Sequence, residues 1–276
     1  MEYTEVNVSG LSGENAEILT AEMAELGFES FTEEVEGFFS AYIPFDTFNL
    51  MKVANFLEEK AATLGFVYKV EKIGEQNWNA LWESAYHPVK IGSCFIRAPF
   101  HQPDPEPLTD IVIEPKMSFG TAHHETTRLM IETLLHLSFT GSKVLDMGTG
   151  TGVLGIIASK HGAKKVVAVD NDEWSFLNAK ENAVRNNVAG IQVIFGDASD
   201  IPSGKYDYIL ANINRNVLLR DIPVYCNFLE DGGSLILSGF YEEDMETITG
   251  VAVPLGMVQL YSDTLNHWMV VILKKC

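Results

Sequence analysis

The sequence predicts an α/β chain built from two units: a small α+β module of about 75 residues, then a larger and mostly parallel sheet covered by helices on both faces. Three observations carry that expectation. Apolar patterns of period 2 and period 3.6 follow one another in the order βαββαβ up to residue 73. Regular strand–helix alternation then runs from about residue 111 to the C-terminus, and the proline-rich HQPDPEP at 101–107 lies between the two. At 276 residues, the chain has a length at which single cores tend to divide.

Residues 2–8 (EYTEVNV) alternate as a half-buried strand. Ser12 then opens a stretch whose Ile18, Leu19, Met23 and Leu26 recur at helical spacing until Gly27 stops it. Strand-like runs at 28–33 and 38–43 flank a turn at Glu36 and Gly37, and Pro44 ends the second. Asp46 reads as an N-cap, with Phe45 and Leu50 as a hydrophobic staple, for a helix whose stripe is Leu50, Val53, Leu57, Ala61 and Leu64. Gly65 closes that helix, and 66–73 (FVYKVEKI) is a fourth strand. The order is the split βαβ arrangement of ferredoxin-like domains, assigned to 1–75.

Residues 76–110 read as a linker with a connecting strand: Trp78 and Trp82 at i,i+4, a strand at 89–97, and then the prolines. From 111 onward, IVIEP is a strand that precedes a Gly-rich turn and a helix at 122–137. Seven strands follow at 143–147, 165–170, 191–195, 206–211, 233–239, 256–261 and 267–273, with helices at 152–161, 173–187, 215–229 and 241–250. The last two strands are too close for a crossover helix, so they form an antiparallel hairpin at one edge. The expectation for 111–276 is a seven-stranded Rossmann-like domain.

Charge narrows the classes of function. The chain carries 19 Lys+Arg against 38 Asp+Glu, a net charge of -19, and residues 1–75 alone hold 15 acidic and 4 basic side chains. Phosphate affinity comes mainly from Lys and Arg, so this balance argues against nucleic-acid or anionic-membrane surfaces and points to a cationic partner. Solubility is the plainer explanation of the same charge. No apolar run reaches the length of a membrane span, and MEYTEVNVSG lacks the pattern of a secretion signal. Cys94, Cys226 and Cys276 are widely spaced and odd in number, which supports neither a disulfide framework nor a CxxC metal site; a reducing cytoplasm is the expected setting.

The most informative stretch is KVLDMGTGTGVLGII at 143–157, an apolar strand, a turn with Gly148, Gly150 and Gly152, and the start of a helix. Glycines there let the backbone approach a ligand beyond the carboxyl end of the strand. Gly150, Gly152 and Gly155 also satisfy GxGxxG with Asp170 downstream, so NAD is a competing ligand. Asp146 separates the two, because a carboxylate at the strand end repels a pyrophosphate and attracts an ammonium or sulfonium. S-adenosylmethionine carries both cations and no phosphate. Asp170 ends the next strand, where it can take ribose hydroxyls or cap the helix that follows, a role Asp172 can also fill. Asp197, in FGDAS, is placed for an adenine amino group or for a turn. Asn212, in LANIN, offers a neutral carbonyl that can orient an amine, or simply makes a turn. In PKMSFGTAHHETTR (115–128), Thr121, Thr126 and Thr127 present hydroxyls, while the consecutive His123, His124 and Glu125 lack HExxH spacing, so no metal is expected.

With VLDMGTGTG, VAVD, FGDAS, LANI and FGTAHHETT in this order, the chain resembles PrmA-type methyltransferases, the family that methylates amino groups of ribosomal protein L-eleven. The resemblance implies a ferredoxin-like substrate-recognition domain and a class I S-adenosylmethionine-dependent methyltransferase domain. It implies cofactor contacts at Thr127, Gly148, Asp170 and Asn212, with Thr121 and Gly150 nearby, and in-line methyl transfer to a neutral amine by a cytoplasmic monomer. A methyltransferase for another protein or a small molecule, and an NAD-dependent oxidoreductase, are the competing expectations. Two positions depart from the family pattern: Ala122 stands where FGTGHHETT has glycine, and NINRNVL lacks a proline after Asn212.

Overall fold

The computed structural model describes residues 2–11, 13–35, 37–73, 86–106, 108–116 and 118–276. Ser12, Glu36, Trp78 and Trp82, to which the sequence pattern assigns a helix start, a turn and a helical pair, lie outside the described residues. The chain divides into two compact units, Met1–Tyr86 and His87–Cys276.

In the first unit β1 (Tyr3–Ser9), α1 (Glu14–Glu25), β2 (Ser30–Val35), β3 (Phe38–Pro44), α2 (Leu50–Leu64) and β4 (Val67–Ile73) follow one another. The strands pair antiparallel in the order β2-β3-β1-β4, which is the split βαβ connectivity. Successive strand residues face opposite sides, so Thr4, Val6 and Val8 of β1 turn inward. Val6 and Val8 share a core with Leu19 and Met23 of α1 and with Val53 and Leu57 of α2. The N-cap of α2 is Asn49, whose side chain accepts from the Lys52 N–H at 3.0 Å, and not Asp46. Phe45–Thr47 forms a 3-10 turn first, which delays the helix by about a turn. Gly65 then ends α2 at φ 77 and returns its N–H to the Ala61 carbonyl.

The second unit opens with β5 (Val89–Ile91), β6 (Cys94–Arg97) and β7 (Thr109–Val112), a small sheet in that order. The run expected as one strand over 89–97 is a hairpin, broken where Gly92 takes φ 52. Ile91, Cys94, Ile96 and Ile111 are buried in one core with Leu129, Met130 and Leu134 of α3 (Glu125–Leu135) and with Ile156 and Ile157 of α4 (Val153–Lys160). The hairpin over 89–97, which the sequence pattern places in a linker ahead of the prolines, is therefore packed as part of this unit.

The large sheet holds β8 (Lys143–Met147), β9 (Lys165–Asp170), β10 (Ile191–Phe195), β11 (Tyr206–Asn212), β12 (Leu229–Tyr241), β13 (Met257–Leu265) and β14 (Trp268–Lys275). Their order is β10-β9-β8-β11-β12-β14-β13, parallel through β12, with β14 antiparallel to both its neighbours. The intervening helices are α5 (Glu173–Arg185), α6 (Arg215–Phe228) and α7 (Met245–Ala252). Val144 and Val166 face the core beneath α3 and α4, while Leu145, Met147, Val167 and Val169 face the opposite core with Leu218 and Ile222 of α6 and Ile248 of α7. Strand order reverses between β8 and β11, and such a switch point opens a crevice at the carboxyl ends of the strands. Among the described residues, no helix is long and apolar enough to cross a membrane.

Candidate functional site

At that switch point lies a cavity of about 400 Å³. Its wall includes Gly148 and Gly150 after β8, Asp170 and Asn171 at the end of β9, Asp197 and Ala198 after β10, Asn212, Ile213 and Asn214 at the end of β11, and Val217, Arg220, Asp221 and Tyr225 of α6. The turn after β8 passes through three left-handed glycines, Gly148 (φ 64), Gly150 (φ 55) and Gly152 (φ 83). Space demands the first two as well: a Cβ on Gly148 would stand 2.2 Å from Ile213 Cγ2, and one on Gly150 would stand 2.2 Å from the Phe119 carbonyl oxygen.

The carboxylates around this turn do different things. Asp170 Oδ2 accepts from the Gly150 N–H at 2.8 Å and Oδ1 from the Asp172 N–H at 3.0 Å, so it ties the turn to the end of β9 while lining the cavity. Burial pushes its carboxyl above the ordinary range, against the pull of those two N–H donors. Asp172 caps α5, accepting from the Ser175 N–H. Asp197 caps the short turn 198–200 through Oδ1, which takes the Ser199 N–H and hydroxyl, and these bonds hold its carboxyl below the ordinary range. Asp146 is 1% exposed and lies outside the cavity wall. Its position in β8 puts it on the side of Val144, facing α4, where Oδ2 accepts from the Thr149 hydroxyl at 2.6 Å and the Gly155 N–H at 3.0 Å. Burial raises its carboxyl to about 7. This geometry pins the turn from below rather than presenting a charge to a ligand.

The 118–127 segment docks onto the same turn. The Phe119 carbonyl accepts from the Thr151 N–H at 2.9 Å, the Thr151 hydroxyl donates to the Gly120 carbonyl at 2.7 Å, and Phe119 lines the cavity. Ala122 adopts φ 68 at 2% exposure, so the position does require the left-handed region and alanine occupies it. His124 caps α3, accepting from the Thr126 N–H, and His123 donates Nε2–H to the His87 carbonyl at 2.9 Å. Thr121 bonds to His123 and is not part of the cavity wall. Thr127 is fully buried and accepts from Asn212 Nδ2 at 3.3 Å, which leaves the Asn212 carbonyl oxygen as the amide's acceptor at the cavity. The turn after Asn212 is closed without proline: Asn214 caps α6, accepting from the Val217 N–H. Among the described residues, no cluster of His, Cys, Asp and Glu is arranged to hold a metal.

Several participants carry no motif. Asn178 and Asn182 of α5 and Asn186 at its C-cap, four positions apart, clamp the backbone of Val112 and Glu114, and Asn182 also donates to the Thr151 carbonyl at 2.9 Å. In the sequence they show only as asparagines at i,i+4 spacing on a face shared with Ala179 and Ala183. From Phe119, ring contacts run edge-on to His124 (5.1 Å) and on to Trp268 (5.0 Å), which meets Tyr241 at a tilt (4.1 Å); the four rings come from segments far apart in sequence.

The family model described as "Ribosomal protein L11 methyltransferase (PrmA)" matches residues 4–276. The chain belongs to the ribosomal protein L11 methyltransferase family. A relative of that name from Porphyromonas gingivalis is 44% identical over 258 residues, covering 91% of this chain and 88% of its own. One from Chlorobaculum parvum is 40% identical over 219 residues, covering 75% of each. The crystal structure of a ribosomal protein L11 methylase from Lactobacillus delbrueckii subsp. bulgaricus superposes with a TM-score of 0.64 at 28% identity, covering 69% of this chain and 100% of that one. This is a methyltransferase of the S-adenosylmethionine-dependent class. The methyltransferase's cavity suits that donor. Asp170, Asp197 and Asp221 line it, while the one cation among its described lining residues, Arg220, is already engaged by Asp221 through bonds of 2.6 and 2.8 Å. A cationic ligand is favoured there and a pyrophosphate is not.

Proposed function

We propose that this methyltransferase transfers methyl groups from S-adenosylmethionine to amino groups of ribosomal protein L11, on lysine side chains, the N-terminal amine or both, as a cytoplasmic monomer. Relatives named for that substrate support this reading of the acceptor. The observation on this chain that carries an amine acceptor is Asn212: its Nδ2 is committed to Thr127, and its carbonyl oxygen remains as a neutral acceptor at the cavity wall.

When bound, S-adenosylmethionine supplies an electrophilic methyl group on a sulfonium. The protein's own work is holding and aligning. Gly148 and Gly150 give backbone access, Asp170 offers its remaining lone pairs to ribose hydroxyls, and Asp197 offers its second oxygen to a purine amino group. Asn212 accepts one N–H of the incoming neutral amine and so points its lone pair, and no side chain of the wall is needed as a dedicated base if the amine arrives unprotonated. The rings of Phe119, His124, Trp268 and Tyr241, with Glu242 and Glu243 beside Tyr241, form an approach suited to a lysine ammonium through cation–π attraction. The first unit, with 15 acidic residues against 4 basic over 1–75, serves as the grip on a basic protein.

Incubation with isotopically labelled S-adenosylmethionine and purified L11, followed by peptide mass spectrometry, tests the assignment. Label on amino groups of L11 is the expected result; label confined to RNA or small molecules would overturn it.

A further inference from the structure

We infer that Arg215 and Asp244 are positioning residues for the incoming amine: their ion pair clasps the Tyr241 side of the approach to the turn that follows Asn212, and so fixes the aromatic wall relative to the Asn212 carbonyl. The inference rests on the reading that an amine enters past Tyr241 and Trp268 and is aligned by Asn212.

β11 and β12 run side by side to the end of β11, where Asn212 is opposite Ser238 in register. Just beyond, the Ile213 N–H donates to the Ser238 carbonyl at 3.2 Å, and Gly239 (φ 94) comes so close that a Cβ there would stand 2.3 Å from the Ile213 carbonyl oxygen. One chain then enters α6, and the other passes through Tyr241 into a 3-10 turn at Glu242–Asp244. Arg215 and Asp244 rejoin them, Nε to Oδ1 at 2.9 Å. The second Asp244 oxygen accepts from the Tyr241 N–H at 3.4 Å, so one carboxylate links the start of α6 to the residue whose ring meets Trp268.

The pair differs from an ordinary surface salt bridge in two ways. Arg215 is the first residue of α6, where a cation opposes the helix dipole, so its placement there is favourable only with a carboxylate close by. Asp244 is 14% exposed against 45% for Arg215, and a charge so covered is screened less than one in open solvent. The same stretch, NINRNVL, is where the chain lacks the proline of the family pattern. Proline stiffens the first turn of a helix through its fixed φ, whereas here a side chain reaches across to the continuation of β12. Flanking bonds hold the Tyr241 turn as a firm counterpart: the Glu242 N–H donates to the His267 carbonyl at 3.0 Å, and the Thr264 hydroxyl donates to the Glu242 carboxylate at 2.5 Å. Small displacements of an aligned nucleophile lower its rate steeply, so a wall fixed relative to Asn212 bears on methyl transfer and not on cofactor binding.

The test is steady-state methyl transfer to L11 by wild type, Arg215→Ala, Arg215→Lys, Asp244→Asn and the double variant Arg215→Ala/Asp244→Asn, with S-adenosylhomocysteine titrations and melting curves alongside. Asparagine at 244 keeps an oxygen for the Tyr241 N–H and removes only the charge. Arg215→Ala and Asp244→Asn should each lower kcat about 5-fold, the upper end for a pair with one exposed partner, while S-adenosylhomocysteine affinity stays within about 2-fold of wild type. The double variant should be no slower than either single one, because both remove the same contact. Arg215→Lys keeps the charge and should recover most of the rate. Wild-type kcat in either single variant, losses that multiply in the double variant, or a fall in melting temperature and cofactor affinity with kcat intact would overturn the clasp while leaving transfer to amines standing. Wild type that labels no amino group of L11 would remove the reading of the acceptor and the clasp with it.

Discussion

Adding one methyl group at Gly150 should disable the cofactor turn, and the size of the effect follows from the geometry. Alanine there must hold φ 55, and its Cβ would stand 2.2 Å from the Phe119 carbonyl oxygen. The left-handed conformation costs an L-residue roughly 1–2 kcal/mol. Relief of the clash must displace either the Phe119 carbonyl, which accepts from the Thr151 N–H at 2.9 Å, or the Gly150 N–H, which donates to Asp170 at 2.8 Å. A hydrogen bond is worth about 0.5–1.5 kcal/mol net, and the stiffer unfolded chain returns about 0.4–1 kcal/mol. Gly150→Ala should therefore destabilise by about 2 kcal/mol, lowering the melting temperature by roughly 4–8 °C for a unit of this size. Gly141→Ala is the control. Gly141 has φ 77 and nothing within 4 Å of a built Cβ, so it meets the backbone cost without the clash. Thermal melts would separate the two variants by a few degrees, and calorimetry with S-adenosylhomocysteine should show reduced affinity only in Gly150→Ala. Equal melting temperatures together with wild-type affinity in Gly150→Ala would refute the claim that close approach to Phe119 is what demands glycine.

Other variants probe neighbouring parts of the site. The Asp146 carboxyl sits at about 7 in the fold against 3.8 ordinarily. The folded protein thus keeps a proton that the unfolded chain has lost between those values, and stability falls as pH rises through the window, the deficit being complete above it. Asp146→Asn should abolish this term, so its melting temperature relative to wild type should rise between pH 5 and pH 8; a constant difference would contradict the assignment. Asn212→Ala should cut kcat about 10-fold or more while leaving S-adenosylhomocysteine affinity within about 2-fold, since it removes alignment and not cofactor binding. Affinity for L11 should weaken as salt rises, if the anionic first unit grips it, and a salt-independent affinity would reduce that charge to an aid to solubility.

The large sheet was legible because its inner strands are short apolar runs such as VVAVD and YILAN, buried on both faces and punctuated by glycine turns. The crevice followed from the same pattern, and Gly148, Gly150, Asp170, Asp197 and Asn212 do share one cavity wall. What periodicity hides is direction. Asp146 was assigned by its distance along the chain from the glycines, but strand parity places it on the Val144 side, against α4. The hairpin at 89–97 reads as one strand because its two arms are only three and four residues long and Gly92–Ser93 makes a brief turn between them. Asp221, Tyr225, Trp268 and Tyr241 belong to no motif. Tertiary packing brings the first two to the cavity wall and the last two into ring contact with each other, from segments whose spacing carries no signal of either.

The small sheet β5-β6-β7 has a practical consequence for dissecting this enzyme. A fragment that begins at residue 111 keeps all seven strands of the large sheet and every residue of the cavity wall, yet it strips Ile91, Cys94 and Ile96 from above α3. Each large apolar side chain buried there is worth about 1.5–3 kcal/mol, and a whole domain's margin is only about 5–15 kcal/mol. The truncated fragment would carry a raw apolar face and come out as aggregate, whereas one that starts at His87 keeps its covering intact. Isolating the unit that holds the cavity thus means carrying along a hairpin that lines no part of it.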